Sequence, residues 1–135
     1  MAHAVVTEYR EQLHRHFAWS EFASDGRNVP AAARSGLYEL VETLLVPLRG
    51  EFGPCRVTSG YRTQAHNRRV GGKPDSRHLY DKHPGSPAAD VRFATGSPQL
   101  WSIHAQRLMP TYGGIGVYRT HVHLDCRNSR ARWSG

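Results

Sequence analysis

Thr120-His121-Val122-His123-Leu124-Asp125 alternates polar and apolar side chains with the period of a β-strand. In an extended chain His121, His123 and Asp125 share one face, while Val122 and Leu124 point to the core. The clearest helix lies far upstream. Leu37, Leu40, Val41, Leu44, Leu45 and Leu48 follow a 3,1,3,1,3 spacing, one buried stripe of a helix that ends near Gly50 or Gly53.

The remaining elements follow from similar signals. A first helix is expected near Val5 to His16, then an aromatic turn from Phe17 to Phe22 that anchors the N-terminal part on the core. Arg56 to Ser59 is a short strand with Gly60-Tyr61-Arg62 as its exit turn. A short helix near Thr63 to Val70 stops at Gly71-Gly72, and Lys73 to Pro87 is a loop. Ala88 to Phe93 is a buried strand, and Ser97-Pro98 caps and opens a helix reaching about Met109. Gly114 to Tyr118 and His121 to Cys126 form a closing hairpin. Helices first, then strands with inserted helices, indicate an α+β fold: a small antiparallel sheet with the N-terminal helices packed on it, in one domain over residues 1–135.

At 135 residues the chain can bury one hydrophobic core, and 39% hydrophobic with 21% charged residues is ordinary for a globular protein. No apolar run approaches the ~20 residues that span a bilayer. The first residues lack a basic segment followed by an apolar one, so synthesis in the cytoplasm without a signal peptide is expected. Two cysteines, Cys55 and Cys126, read as small buried side chains in strands; whether they meet in the sheet stays open. A net charge of +7, from 18 basic and 11 acidic residues, favours a polyanionic partner such as nucleic acid, an anionic wall polymer or an acidic peptide. The basic residues are dispersed and do not alternate with aromatics, so a specific nucleic-acid function is not expected.

The polar face of the last strand has a counterpart. Asp90 opens an apolar strand after Ala88-Ala89, where a carboxylate needs a metal or a hydrogen-bond partner. Either His78 or His83 can be that partner. Two histidines and a carboxylate, with one histidine to spare, are the ligand chemistry of a catalytic zinc site, in which water takes the fourth position. Of His121 and His123 only one need bind the ion, and the other can act as acid or base.

The chain resembles a known family in Ser59-Gly60-Tyr61-Arg62, Asn67, Gly71-Gly72, Ser76-Arg77-His78, Ala88-Ala89-Asp90, Gly113-Gly114-Ile115-Gly116 and His121-Val122-His123-Leu124-Asp125. This is the zinc D-Ala-D-Ala carboxypeptidase and L-Ala-D-Glu endopeptidase family, within the wider group that includes lysostaphin-type peptidases and the hedgehog signalling domain. The resemblance runs from about Phe17 to Trp133. It implies Zn2+ held by His78, Asp90 and His123, with His121 passing a proton to the leaving amine and Arg62 pairing with a substrate carboxylate. For Arg62 the plainer reading is a helix cap or a partner of Asp90 or Asp125.

Two departures stand out. The family separates its first histidine from the aspartate by six residues, a gap matched by His83. The local Ser-Arg-His-Leu-Tyr sequence favours His78, with about five residues inserted between Tyr80 and Pro84. Many relatives also carry an acidic base a few positions before the last ligand, where this chain has Arg119 and Thr120. Asp125 shares the face of His121 and His123, and can either orient a ligand ring or pair with an arginine. Tyr61, Tyr80 and Tyr118 are expected to be structural more often than substrate-binding. The function implied is a peptidase of peptidoglycan stem peptides, acting at the cell wall after release or as part of a virion, with phage structural proteins as further partners. The alternative is a non-catalytic structural or binding module of the same fold in a phage or tail-like assembly.

Overall fold

A computed structural model describes residues 13–23 and 26–135. The helix expected near Val5 to His16 falls largely outside the described residues. Its described end is a tight turn, in which the backbones of His14 and Phe17 pair at 3.1 and 3.2 Å. Phe17, before a 3-10 turn at Trp19–Phe22, and Phe22, at its end, are both buried, so this aromatic segment does anchor the chain to the core.

The long helix has a defect in its middle. Helix α1 (Arg34–Leu40) passes through a π-helical turn (Val41–Leu45) into α2 (Val46–Phe52). Pro47 explains the defect. It has no N–H for the preceding turn, and its ring crowds the carbonyl four residues back. The backbone widens just before it, and the Val46 N–H bonds to the Val41 carbonyl, five residues back. All six apolar stripe residues remain buried. Gly53, at φ 86°, ends α2 in a conformation that costs glycine little.

Among the described residues the sheet has five strands: β1 (Cys55–Ser59), β2 (Ala89–Phe93), β3 (Gly114–Val117), β4 (Val122–Asp125) and β5 (Ala131–Ser134), in the order β1-β2-β4-β3-β5. The short helix α3 (Gln64–Arg69) begins at Thr63, whose side chain accepts from the His66 N–H. Helix α4 (Pro98–Leu108) is capped by Ser97. Helices α2 and α4 pack on the sheet, and Val91, Ile115, Val122 and Leu124 join the leucine stripe in one core.

The α+β expectation holds, with one correction. The sheet is mostly antiparallel, but β5 was not expected, and it pairs parallel with β3. Its pattern is hidden because four residues, two apolar and two polar, are too few to carry a clear periodic signal. The cysteines do not meet either. Both are free thiols, and β2 separates β1 from β4. Among the described residues no helix is long and apolar enough to cross a membrane.

Candidate metal centre

One row of residues crosses the sheet. Ser59 faces Asp90, Asp90 faces His123, His123 faces Gly116, and Gly116 faces Trp133, each pair being direct partners in adjacent strands. Cross-strand partners on one face bring their side chains within contact range. The alternation in β4 does the rest: Val122 and Leu124 fill the core, and His123 and Asp125 take the other face.

The structure brings His78, not His83, to this row. His78 Nε2 lies 3.2 Å from Asp90 Oδ1, and His123 Nδ1 lies 3.3 Å from the same oxygen. Ligand atoms of His78, Asp90 and His123 all lie within 4.8 Å of one another, and this is the one such group among the described residues. His83 stays at the rim of the cleft, where its Nε2 meets the Asp75 carbonyl at 2.9 Å. The loop between His78 and Asp90 closes on itself. The Ala88 N–H donates to the Arg77 carbonyl at 3.1 Å, and the Arg77 guanidinium donates to Ser86 Oγ. These bonds join the two ends of the excursion next to His78 and Asp90. Tyr80, at the base of the excursion, is fully buried and donates to the Ala88 carbonyl, a structural role. Tyr61 is buried too, and donates to Asp81.

The second nitrogen of each imidazole is committed. His78 Nδ1 lies 2.8 Å from the Gly60 carbonyl, which can only accept, so the proton sits on Nδ1 and Nε2 presents a lone pair. His123 Nε2 lies 2.7 Å from Asp125 Oδ2, leaving Nδ1 directed at Asp90. Asp125 is itself gripped by Arg127, whose Nε and terminal nitrogen donate at 2.8 and 2.7 Å and whose backbone N–H donates at 3.1 Å. Asp125 therefore does both things open to it: it orients a ring and it pairs with an arginine. Such outer partners set the tautomer and basicity of a metal-binding histidine.

The electrostatics agree with a cation site. Burial pushes the His78 pKa down, favouring the neutral ring. Burial also disfavours ionised Asp90, but hydrogen bonding from His123 works against it, and the carboxyl is held well below its ordinary range. For His123 burial works downward too, and the Asp125 and Asp90 carboxylates reverse it, so its pKa is raised. The ionised Asp90 thus attracts one positive charge, which a proton on His123 or a metal ion can supply. Two imidazole nitrogens and a carboxylate oxygen fit a zinc-type ion.

His121 and Arg62 stand beside the row. His121 Nε2 and a terminal Arg62 nitrogen each lie 3.9 Å from Asp90 Oδ2. Arg62 donates to Ser59 Oγ and to Asn67 Oδ1, both at 3.3 Å. Asn67 is buried and donates to the Lys73 carbonyl. Its Oδ1 occupies the space that any Cβ at position 72 would need, which explains Gly72. Gly60 likewise lies under the Phe22 backbone, 2.7 Å from where a Cβ would stand. Of the residues in the sequence motifs, Gly60, Gly72 and Asn67 form the packing that holds Arg62 and His78.

These groups line a cleft of about 720 Å³, with Lys73, Arg77 and Arg127 adding positive charge. That volume is in the range of sites that enclose small ligands and short peptides. Sequence reasoning missed three contributors. Arg127 continues the period-two series of positions 121, 123 and 125, and that signal was available. Trp133 and the Gly60 carbonyl had none, because only tertiary pairing brings them to the site. A family model described as peptidase M15 matches residues 15–125. No curated protein matches the chain.

Proposed function

This chain belongs to the peptidase M15 family of metallopeptidases, and from that premise we propose that it is a zinc-dependent peptidase hydrolysing peptidoglycan stem-peptide bonds. The observation that carries the reading is the convergence of His78, Asp90 and His123, with the outward nitrogen of each imidazole committed to a fixed acceptor. These three residues would hold the ion. When bound, it supplies Lewis acidity toward a peptide carbonyl and lowers the pKa of water.

The chain's own groups would do the rest. His121 Nε2 faces the open side of Asp90 and exchanges a proton with the attacking water and the departing amine. Arg62, fixed by Ser59 and Asn67, offers a planar fork to a substrate carboxylate. Asp125 and Arg127 keep His123 in one tautomer. Stem peptides carry free carboxylates, and the basic cleft suits them. The net charge of +7 suits adhesion to an anionic wall, as for a phage or prophage lytic or virion-associated protein. Both D,D-carboxypeptidase and endopeptidase action fit this chemistry.

The test is release of amines from purified cell walls by the zinc-loaded protein, compared with His123→Ala. Stem peptides with free and blocked C-termini distinguish the two modes of cleavage. Equal inertness of wild type and variant on several wall types would instead favour the non-catalytic module.

A further inference from the structure

Strand β5 lies beyond the residues that the family model matches, yet it forms one wall of the cleft. Its Trp133 meets three parts of the site. The indole is 4.9 Å from the His123 ring, centroid to centroid, and the Arg127 guanidinium lies over it at 5.4 Å. The indole N–H donates to the Tyr118 hydroxyl at 2.8 Å. Tyr118 in turn stacks on His121, with centroids 4.6 Å apart and planes within 6° of parallel.

The arrangement is built. Gly116, opposite Trp133 in the β3–β5 ladder, has no Cβ, and one there would enter the indole ring. Gly135 lies so close to the Tyr118 ring that a Cβ would collide with it, and its N–H bonds to the Val117 carbonyl at 2.9 Å. The Tyr118 N–H closes the hairpin turn on the His121 carbonyl at 3.0 Å. His121 is far less enclosed than His123, and its other side-chain contacts are weak: Thr120 Oγ at 3.3 Å and Asp90 at 3.9 Å. Its ring plane is set mainly by the tyrosine, whose own hydroxyl is set by the tryptophan.

We infer that Trp133 is a positioning residue: through its hydrogen bond to Tyr118 it fixes the His121 ring so that Nε2 faces the Asp90 carboxylate. This rests on the peptidase reading for its catalytic consequence, but the clamp itself is a property of the protein without substrate or metal. Losing one neutral hydrogen bond loosens the ring without emptying the cleft. Trp133→Phe keeps an aromatic body over Gly116 and removes the N–H. Tyr118→Phe keeps the stack and removes the acceptor.

The experiment is a proton–nitrogen NMR correlation of the histidine rings at one fixed pH, alongside steady-state kinetics on a wall stem peptide. His104, packed edge-on to Phe52 at 4.9 Å, serves as an internal control. In the wild type the His121 ring protons are expected upfield, over the tyrosine face. Both variants are expected to move them toward ordinary positions while His104 stays put. Both are also expected to lower kcat about 5- to 10-fold with KM changed less than about 2-fold, and the double variant is expected to do no worse than either single one. His121 signals in Trp133→Phe that coincide with those of the wild type would overturn the clamp, whatever the activity. A wild-type protein inert on every wall peptide, with the ring shifts behaving as described, would overturn the peptidase reading and uphold the clamp.

Discussion

Asp90 stands directly opposite His123 in the β2–β4 ladder, with its Oδ1 3.3 Å from the imidazole Nδ1. Backbone pairing between two interior strands sets that distance. Only His78 comes from a loop, and its ring is tied to the backbone of Gly60. A site carried on strands and braced by outer hydrogen bonds is held in place before any ligand arrives.

Metal removal tests that arrangement. A bound ion stabilises only the folded chain, so zinc at about 100 times its Kd adds about 2.7 kcal/mol. Chelation is expected to lower the melting temperature by on the order of 10 °C and to abolish hydrolysis. Zinc added back restores both. Calorimetry with and without chelator reads the first effect, and amine release reads the second.

His78 and His83 separate cleanly by substitution. The His83 ring meets a backbone carbonyl at the rim and none of the three converging side chains, so His83→Ala is expected to leave zinc affinity within about 2-fold and stability within about 1 kcal/mol. His78→Ala is expected to weaken zinc binding by more than about 100-fold, since outer partners alone are worth about 10- to 100-fold. Isothermal titration of both variants decides the matter.

Asp125→Asn keeps the shape and removes the charge that His123 and Arg127 share. Zinc affinity is expected to fall about 10- to 100-fold. Arg127 loses its ionised acceptor, and the chain is expected to lose about 1–3 kcal/mol in urea unfolding.

Gly116 and Gly85 make a matched pair. A methyl at 116 enters the Trp133 indole, whereas at 85 nothing lies within 4 Å. Gly116→Ala is expected to cost about 1–3 kcal/mol by displacing β5. Gly85→Ala is expected to stay within about 0.5 kcal/mol. Equal melting temperatures for the two variants would contradict the close packing of Trp133 on β3.

The thiols predict alkaline weakness. Burial pushes Cys126 from 9.0 up to about 12, with the nearby Glu39 charge adding to it. Burial, with Glu21 beside it, does the same to Cys55. A raised folded-state pKa means that the unfolded chain releases these protons first. Stability is therefore complete below about pH 9 and declines as pH rises toward 12. Urea midpoints between pH 8 and 11 are expected to fall, less steeply in Cys126→Ala.

Much of this was legible in the chain. The leucine stripe from 37 to 48 is buried throughout, and positions 121, 123 and 125 share a face as strand alternation requires, with His121 and His123 both turned to Asp90. Local signals sufficed there because each element's inner face is written in its own period. The π-helical turn at Val41–Leu45 leaves the leucine spacing unchanged, and Pro47 is its one cue in the sequence. The choice between His78 and His83 stayed open because the two sit on one loop with plausible spacings to Asp90.

The sequence by itself determined the α+β class, the stripe, the polar strand face and the residue types able to bind a metal, since all are short-range patterns of side-chain chemistry. Tertiary structure alone decided which histidine meets Asp90, that Gly60 orients it, and that β5 lays Trp133 against the site. Those outcomes depend on strand order and register, which arise from contacts between segments far apart in the chain, and no local periodicity encodes them.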